Sequence, residues 1–159
     1  MKDKWDLRFK NIALEIGEWS KDPSCKVGCI AVRDRRVIAT GYNGFPVGIS
    51  DDKEDYDNRE IKYDRIVHAE KNMIYNACRH GVSLVGATVY VSGLPVCGEC
   101  SKGLVQCGIK RIVMPSIESS NSRWKESGTR GKELMIEAGI EVYEYNQYDI
   151  HYQRGLVNL

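Results

Sequence analysis

The stretches IVHAE at residues 66–70 and LPVCGEC at residues 94–100 decide how this chain is organised. They supply one imidazole, His68, and two thiols three positions apart, Cys97 and Cys100. Histidine and cysteine are preferred protein ligands of zinc, and a site with only three of them keeps its fourth position for water, as catalytic zinc sites do. The two stretches therefore predict a catalytic zinc site with these three side chains as ligands.

Glu70 follows the histidine of this set by two positions. Residues i and i+2 of a helix do not share a face, so we expect the carboxylate to point away from His68 and to serve the water rather than the metal. This predicts Glu70 as the general acid and base. The alternative is a structural zinc site, which needs a fourth protein ligand such as His80 or Cys107, and neither lies at a regular spacing from the pair.

Both motifs are predicted to open helices. The apolar residues that follow His68 recur at helical intervals, and the helix that begins at Cys97 is expected to end near Cys107, before Gly108. Helix N-termini favour negative charge, because their N–H groups are unsatisfied and the helix dipole is positive there. We therefore expect both cysteines to bind as thiolates.

The rest of the chain reads as one α/β domain at residues 1–145 with a polar tail at 146–159. The predicted order is a helix at 4–20, a hairpin of strands 27–32 and 37–41 with the tip Arg33-Asp34-Arg35-Arg36, and then, after the zinc helix, strand 87–92, the cysteine helix, strand 109–114, helix 126–138 and strand 140–145. Helical crossovers make the later strands parallel, which predicts a sandwich of helices around one sheet.

Residues 41–65 show no clear period. A connection of this length is usually either functional or disordered. The glycine-rich first half, placed before His68, is expected to contact the substrate, whereas the acidic second half is expected to be a solvated insertion rather than a cation site.

Composition limits the function classes. The 159 residues carry a formal net charge of +1, which disfavours nucleic acid and anionic membranes as partners. The sequence contains no apolar run of the length that a membrane helix requires, so we predict a cytoplasmic protein. Four of the six cysteines, Cys25, Cys29, Cys78 and Cys107, lie in or beside apolar elements and are predicted to be reduced structural thiols.

His-x-Glu followed by Pro-Cys-x-x-Cys is typical of zinc deaminases that act on nucleobases. The present chain has Val96 between the proline and the first cysteine. It resembles the deoxycytidylate deaminases of the cytidine deaminase superfamily in a larger set of motifs that spans residues 5–145: Asp22-Pro23-Ser24, Val27-Gly28, Tyr42-Asn43-Gly44-Phe45-Pro46, His68-Ala69-Glu70, Pro95 to Cys100 and Gly108-Ile109-Lys110.

This resemblance implies a three-layer fold with a mixed five-stranded sheet, one Zn²⁺ per chain and a homo-oligomer that is often a hexamer. It implies hydrolysis of deoxycytidine monophosphate (dCMP) to deoxyuridine monophosphate (dUMP) and ammonia for the thymidylate pathway, with Glu70 carrying the protons. It also implies that Asn43 holds the sugar, and Ser24 of the neighbouring motif is a further candidate for substrate binding.

A nucleotide substrate needs cations for its phosphate. The candidates are Lys26, Arg123 and the basic hairpin tip. Deaminases of a free nucleoside, guanine or a pterin-like base stay open as alternatives, followed by an RNA-editing enzyme and a non-catalytic zinc protein. By resemblance, a parallel last strand favours the nucleotide and RNA-editing branches.

An effector site is the last prediction from the sequence. The residues Gly41, Tyr42, Asn43 and Gly44 could present backbone to nucleotide phosphates, and the carboxylates that follow could share Mg²⁺ with a triphosphate. The resemblance implies deoxycytidine triphosphate (dCTP) and thymidine triphosphate (dTTP) as opposing effectors. The alternative is that the same loop only closes the active site.

Overall fold

The computed structural model describes residues 4–146 of the chain. The helices are α1 Lys4–Gly17, α2 Lys53–Asp57, α3 Arg59–Arg65, α4 Ala69–Arg79, α5 Gly98–Gln106 and α6 Ser122–Glu137. The strands are β1 Gly28–Arg33, β2 Arg36–Tyr42, β3 Thr88–Ser92, β4 Arg111–Pro115 and β5 Glu141–Tyr145. The predicted tail, apart from Asn146, lies outside the described residues.

The strands form one five-stranded sheet in the order β2-β1-β3-β4-β5. Strand β1 is antiparallel to both of its neighbours, whereas β3, β4 and β5 are parallel to one another. The parallel part follows from the helical crossovers α5 and α6. This confirms the predicted mixed sheet, including its parallel last strand.

The β1–β2 hairpin turns through only two residues, Asp34 and Arg35, since Arg33 and Arg36 still pair in the ladder. Both turn residues have positive φ values, 52° and 60°. Such a turn matches the twist of the strands that it joins.

Helices cover both faces of the sheet. Helix α1 packs on one face through Phe9, Ala13 and Ile16, against strand residues such as Ile30 and Tyr90. The other face carries α4 and the larger apolar cluster, which includes Met73, Leu104 and Met135 from α4, α5 and α6. The predicted three-layer sandwich is therefore confirmed.

Helix α1 differs from its prediction. It ends at Gly17 rather than near residue 20, and Ile12 and Trp19, two apolar residues of the predicted span, are 39% and 58% exposed. Asp6 is buried in their place, because Arg111 donates two hydrogen bonds to its carboxylate and the Tyr90 hydroxyl a third.

The segment before the zinc helix is also more regular than predicted. Residues 41–65 contain the short helices α2 and α3, and the Asn58 side chain caps α3 by accepting from two backbone N–H groups. Helix α6 likewise begins at Ser122, four residues before its predicted start. Within residues 4–146, no helix combines the length and the apolar character needed to cross a membrane.

Candidate active site

The first motif turns into helix α4 at His68. This residue is the N-cap, with extended backbone angles, and Ala69 and Glu70 form the first turn. The loop that leads to it is fixed by a two-hydrogen-bond bridge between Gly44 and Val67. The imidazole is thus positioned by backbone on both sides.

The second motif turns into helix α5 in the same way. Cys97 is the N-cap, and its Sγ accepts a hydrogen bond from the Cys100 N–H at 3.4 Å. Helix α6 supports this turn, because the Ser127 Oγ accepts from the Gly98 N–H at 3.1 Å and Gly131 lies close to the Val96 carbonyl. Val96 itself is completely buried, so the extra residue between proline and cysteine packs into the core.

The fold brings the three predicted ligands together. The His68 Nδ1 atom lies 3.5 Å from Cys97 Sγ and 3.4 Å from Cys100 Sγ, and the ligand atoms all lie within 4.8 Å of one another. Zinc bonds of about 2.3 Å to sulfur and about 2.0 Å to nitrogen, in a tetrahedron, place N and S about 3.5 Å apart. The donor types and their spacing therefore fit Zn²⁺.

Within the described part of the chain, no fourth protein ligand accompanies this set. Among residues 4–146 it is the one group of three histidine, cysteine or acidic side chains close enough to hold a metal ion. His80 and Cys107, the candidates for closing a structural tetrahedron, do not belong to it. This geometry favours an open site.

The protein groups around the cluster promote a thiolate. Hydrogen bonds from the Cys100 thiol and from His68 lower the pKa of Cys97 to about 4. The same hydrogen bond, in which Cys100 is the donor, raises the pKa of Cys100. The hydrogen bond to Cys97 also raises the pKa of His68. The arrangement thus stabilises negative charge on the thiol pair, which is the form that binds zinc.

Glu70 lies beside the cluster and is only 3% exposed. It lines the same cavity as His68 and Cys97. Burial raises the pKa of its carboxyl group, because the charged form loses its hydration. A carboxyl group in this environment can hold a proton closer to neutral pH than an exposed glutamate can.

The cavity in front of these groups has a volume of about 190 Å³. Besides the cluster, the lining includes three polar residues, Asp22, Asn43 and Lys62. It also includes Tyr63 and Arg123, which are exposed, and the partly exposed Trp124. A cavity that joins a metal cluster to fixed polar and aromatic side chains is suited to one small polar ligand.

Asp22 holds the three polar residues together by hydrogen bonds. It is 2% exposed and accepts hydrogen bonds from the N–H groups of Ser24 and Cys25 and from the side chains of Asn43 and Lys62. Buried carboxylates are tolerated when they are satisfied in this way. We call Asp22, Asn43 and Lys62 the Asp22 network.

Asn43 joins this network to the sheet. Its Oδ1 atom accepts from the Val27 N–H at 2.8 Å, and its Nδ2 atom donates to Asp22 and to the Cys25 carbonyl. The side chain lines the cavity, as the sugar-binding prediction requires, but its amide is already used to hold the wall together.

The structure places the other substrate candidates unequally. Ser24 and Arg123 line the cavity, with the Arg123 guanidinium 4.9 Å from the Tyr63 ring centre and 5.2 Å from that of Trp124. Lys26 does not line it, because its ammonium group turns to the Glu18 side chain at 3.0 Å.

The hairpin tip also lies away from the cavity. Arg35 stacks on the Trp5 ring, and Arg33 donates to the carbonyls of Ser83 and Val85. Neither arginine lines the cavity of the cluster. These two arginines of the tip therefore contact Trp5 and the loop at residues 83–85 instead of the cavity.

The residues predicted for an effector site have structural partners. A Cβ atom on Gly41 would lie 2.3 Å from the Met73 N atom, so this glycine lets α4 pack directly on β2. The N–H groups of Asn43 and Gly44 donate to the carbonyls of Val27 and Val67. Tyr42 contacts the Trp19 ring edge-on. These N–H groups therefore do not form the phosphate cradle that the glycine-rich sequence predicts.

Four polar or aromatic lining residues were not among the site residues predicted from the sequence: Asp22, Lys62, Tyr63 and Trp124. Cys25, predicted to be a structural thiol, also lines the cavity. The sequence did contain a signal for Lys62 and Tyr63. Asn58 is a favourable N-cap residue, and the short helix that follows it ends just before the zinc motif, with both residues on it. Trp124 could be placed only once the start of α6 was known.

The chain matches the family model described as cytidine and deoxycytidylate deaminase zinc-binding region over residues 3–116. It is 39% identical over 143 residues to an uncharacterized deaminase in the luxG 3′ region of Aliivibrio fischeri, covering 89% of this chain and 94% of that protein. It is 34% identical over 143 residues to the deoxycytidylate deaminase of Mus musculus, covering 86% of this chain and 77% of the mouse protein.

Solved structures share the fold. The dCMP deaminase of cyanophage S-TIM5, in complex with dCMP and dUMP, superposes with a TM-score of 0.74 at 24% identity, over 91% of this chain and 99% of the phage enzyme. These comparisons confirm the resemblance seen in the motifs. This chain belongs to the cytidine and deoxycytidylate deaminase family.

Proposed function

We propose that this protein is a zinc-dependent deaminase that converts dCMP to dUMP and ammonia. The observation that carries the proposal is the cluster of His68, Cys97 and Cys100 beside the buried Glu70, which does not belong to the ligand set. The relatives named as deoxycytidylate deaminases support the choice of substrate.

The chemistry divides between the metal and one side chain. Zinc, when bound by His68, Cys97 and Cys100, supplies Lewis-acid activation of water. Glu70 accepts a proton from the attacking water and delivers it to N3 of the cytosine ring as C4 is attacked. It then accepts the remaining proton from the new C4 hydroxyl and passes it to the amine, which leaves as ammonia while the C4 carbonyl forms. Its burial suits this role, because the raised pKa makes the protonated carboxyl group, which must form in the first step, less costly than in an exposed glutamate.

The rest of the cavity supplies binding. Asn43 is proposed to lie at the sugar, and Ser24 and Arg123 are proposed to contact the polar end of the nucleotide, since all three line the cavity. Lys26 is not among the proposed substrate-binding residues, because its ammonium group is paired with Glu18 and the residue does not line the cavity.

A panel of substrates tests the proposal. Ammonia release is measured from cytidine, deoxycytidine, their two monophosphates and dCTP under identical conditions. We expect the deoxymonophosphate to give the highest kcat/KM. A higher value for a nucleoside, or turnover of guanine or a pterin alone, would place the protein in another branch of the family.

Regulation by dCTP and dTTP stays a prediction, as do the homo-oligomer, its hexameric form and the cytoplasmic location. Substrate curves with and without each triphosphate at saturating Mg²⁺ test the first, because an effector acts only through different affinities for two states. We expect dCTP to make the curve more hyperbolic and dTTP to oppose it. Superimposable curves would leave residues 41–48 as part of the wall alone.

A further inference from the structure

Lys62 is the cavity-lining cation that the sequence did not single out. It lies on α3, in the segment predicted to be a solvated insertion, and its side chain is only 11% exposed. Its ammonium group lies 2.7 Å from Asp22 Oδ1. A lysine buried to this extent is uncommon, and it normally has a partner that holds it in place.

We infer that Lys62 is the residue by which this site selects a nucleoside monophosphate over the uncharged nucleoside. The inference rests on the proposed function and deepens it, because it assigns the recognition of the phosphate to one side chain. Asp22 acts in it as a positioning residue.

The Lys62 ammonium group has more hydrogen-bond donors than its protein partner uses. A lysine ammonium carries three N–H donors and no acceptor. Within the part of the chain that the structure describes, one hydrogen bond from the Lys62 ammonium group is found, the one to Asp22. Asp22 in turn receives three further hydrogen bonds, from Ser24, Cys25 and Asn43, so its position does not depend on Lys62 alone. Donors of Lys62 are thus available to an anion in the cavity.

Lys62 and Arg123, the two cations that line the cavity, differ in their exposure to solvent. Arg123 is exposed and rests on the rings of Tyr63 and Trp124, so water and salt screen its charge. Lys62 lies largely out of water, where a charge-assisted hydrogen bond is stronger. Arg123 therefore suits attraction of an anion to the entrance, and Lys62 suits discrimination once it is bound.

Lys62 is also connected to the predicted sugar site through Asp22. Asp22 bonds both Lys62 and Asn43, so the two side chains converge on one carboxylate. A phosphate ester is covalently attached to the sugar. If Asn43 lies at the sugar, an anion bound by Lys62 is within reach of the same ligand.

A purely structural role for Lys62, as the countercharge of Asp22, makes a different prediction. In that case, removing both charges together should leave the relative activity on nucleotide and nucleoside unchanged. If Lys62 recognises the phosphate, Asp22→Asn alone should preserve or increase the preference, because the asparagine amide oxygen can still accept from Lys62 and hold it in position while a competing negative charge is lost. Removal of Lys62 should abolish most of the preference in either background.

The experiment measures kcat/KM for dCMP and for deoxycytidine and compares their ratio. The variants are Lys62→Met, Asp22→Asn, the double variant Asp22→Asn/Lys62→Met and Lys62→Arg, with Lys26→Met as the surface control. The double variant leaves no unpaired buried carboxylate, so it remains informative where Lys62→Met does not fold. A ratio of two rates on one preparation is also insensitive to the fraction of folded enzyme.

We expect the ratio to fall about tenfold to a hundredfold in both variants that lack Lys62, as loss of a charge-assisted hydrogen bond predicts. Lys62→Arg should retain most of the preference, and Lys26→Met should match the wild type. An unchanged ratio in the double variant, with dCMP still the preferred substrate of the wild type, would overturn the role of Lys62 and leave the proposed function standing. A wild-type protein that prefers deoxycytidine would instead overturn the function itself.

Discussion

The two sides of the cavity are built in different ways. The metal side takes its ligands from two short motifs, and each motif forms the N-terminus of a helix, so backbone geometry places the side chains. The Asp22 network takes its members from three separated segments and holds them by side-chain hydrogen bonds, including one over 40 positions of sequence. The metal side is thus a local structure, whereas the substrate side exists only in the folded chain.

This difference predicts different responses to mutation. Removing a group from the metal side should abolish chemistry while the fold persists, because the helices form without the metal-binding atoms. Removing a group from the Asp22 network should reduce stability and substrate binding together, because buried polar groups lose their partners.

Loss of a metal ligand should have the largest effect. In Cys100→Ala we expect bound zinc to fall well below stoichiometric, because even changes to the outer shell of a zinc site cost about 10-fold to 100-fold in affinity. Deamination should be lost with the metal. Elemental analysis of the purified protein and the ammonia assay measure the two effects. Cys78→Ala, which removes an exposed thiol, is the control, and loss of zinc in that variant would show that the ligand set is wrong.

Replacement of the proposed acid and base should separate chemistry from metal binding. Glu70→Gln keeps the shape of the side chain, so zinc should stay bound, but kcat should fall about 10²-fold to 10⁴-fold, the usual contribution of a positioned general base. The matched control is Glu99→Gln, because Glu99 also lies in the first turn of a cysteine-bearing helix but is exposed and paired with Lys102. Wild-type turnover in Glu70→Gln with zinc bound would contradict the mechanism.

The same contrast explains what the sequence could predict. The His68 and Cys97 motifs were readable because ligand type and spacing are local properties, and the succession of strands and helices along the chain followed from the alternation of apolar segments. Asp6 shows the limit, since its burial depends on Arg111, which lies 105 positions away. Lys62 shows it again, because a charged residue in an acidic segment resembles a solvated surface until its partner Asp22 is known.

Glycine spacing misled the sequence analysis for a related reason. Gly41 and Gly44 suggested backbone open to a phosphate, but packing against α4 and pairing with Val67 use the same property. A small residue permits close approach of any group, and the sequence does not say which group approaches.

On the substrate side, removal of the Asn43 amide should cost stability. Asn43→Ala leaves the Val27 N–H, the Cys25 carbonyl and the Asp22 carboxylate each without one hydrogen bond. We expect the free energy of unfolding to fall by about 2–3 kcal/mol, and KM to rise. Urea denaturation measures the first effect. The control, Asn76→Ala, removes an exposed amide that donates to the Thr40 carbonyl, and it should cost about 1 kcal/mol or less. Equal losses in the two variants would show that the Asp22 network contributes no more to stability than an exposed hydrogen bond does.

Helix α6 offers a smaller test on the metal side. A Cβ atom on Gly131 would lie 2.9 Å from the Val96 carbonyl oxygen, so the cysteine turn must shift in Gly131→Ala. We expect weaker zinc binding and a loss of about 1–2 kcal/mol of stability, the range seen for overpacking. Gly128→Ala, on the same helix, meets side-chain atoms at 3.3 Å or more, and the higher helix propensity of alanine should make it neutral or stabilising by up to about 1 kcal/mol. Chelator competition and thermal unfolding distinguish the pair, and identical behaviour would show that α6 does not support the turn.

The smallest effect concerns Cys25, a half-buried thiol that lines the cavity next to the Asp22 network. Burial, followed by the charge of Asp22, raises the pKa of this thiol. Because the thiolate is the reactive form, a raised pKa leaves less of it at neutral pH, so alkylation by iodoacetamide should be slower than at the exposed Cys78. Its rate should also keep rising with pH above the ordinary cysteine pKa of about 8.5.

Peptide mapping by mass spectrometry follows each cysteine separately, and dUMP should protect Cys25 but not Cys78, because only Cys25 lies in the cavity. A Cys25 rate that levels off below that pH would contradict the raised pKa, whereas equal protection of both thiols would show that dUMP does not occupy the side of the cavity that Asp22 organises.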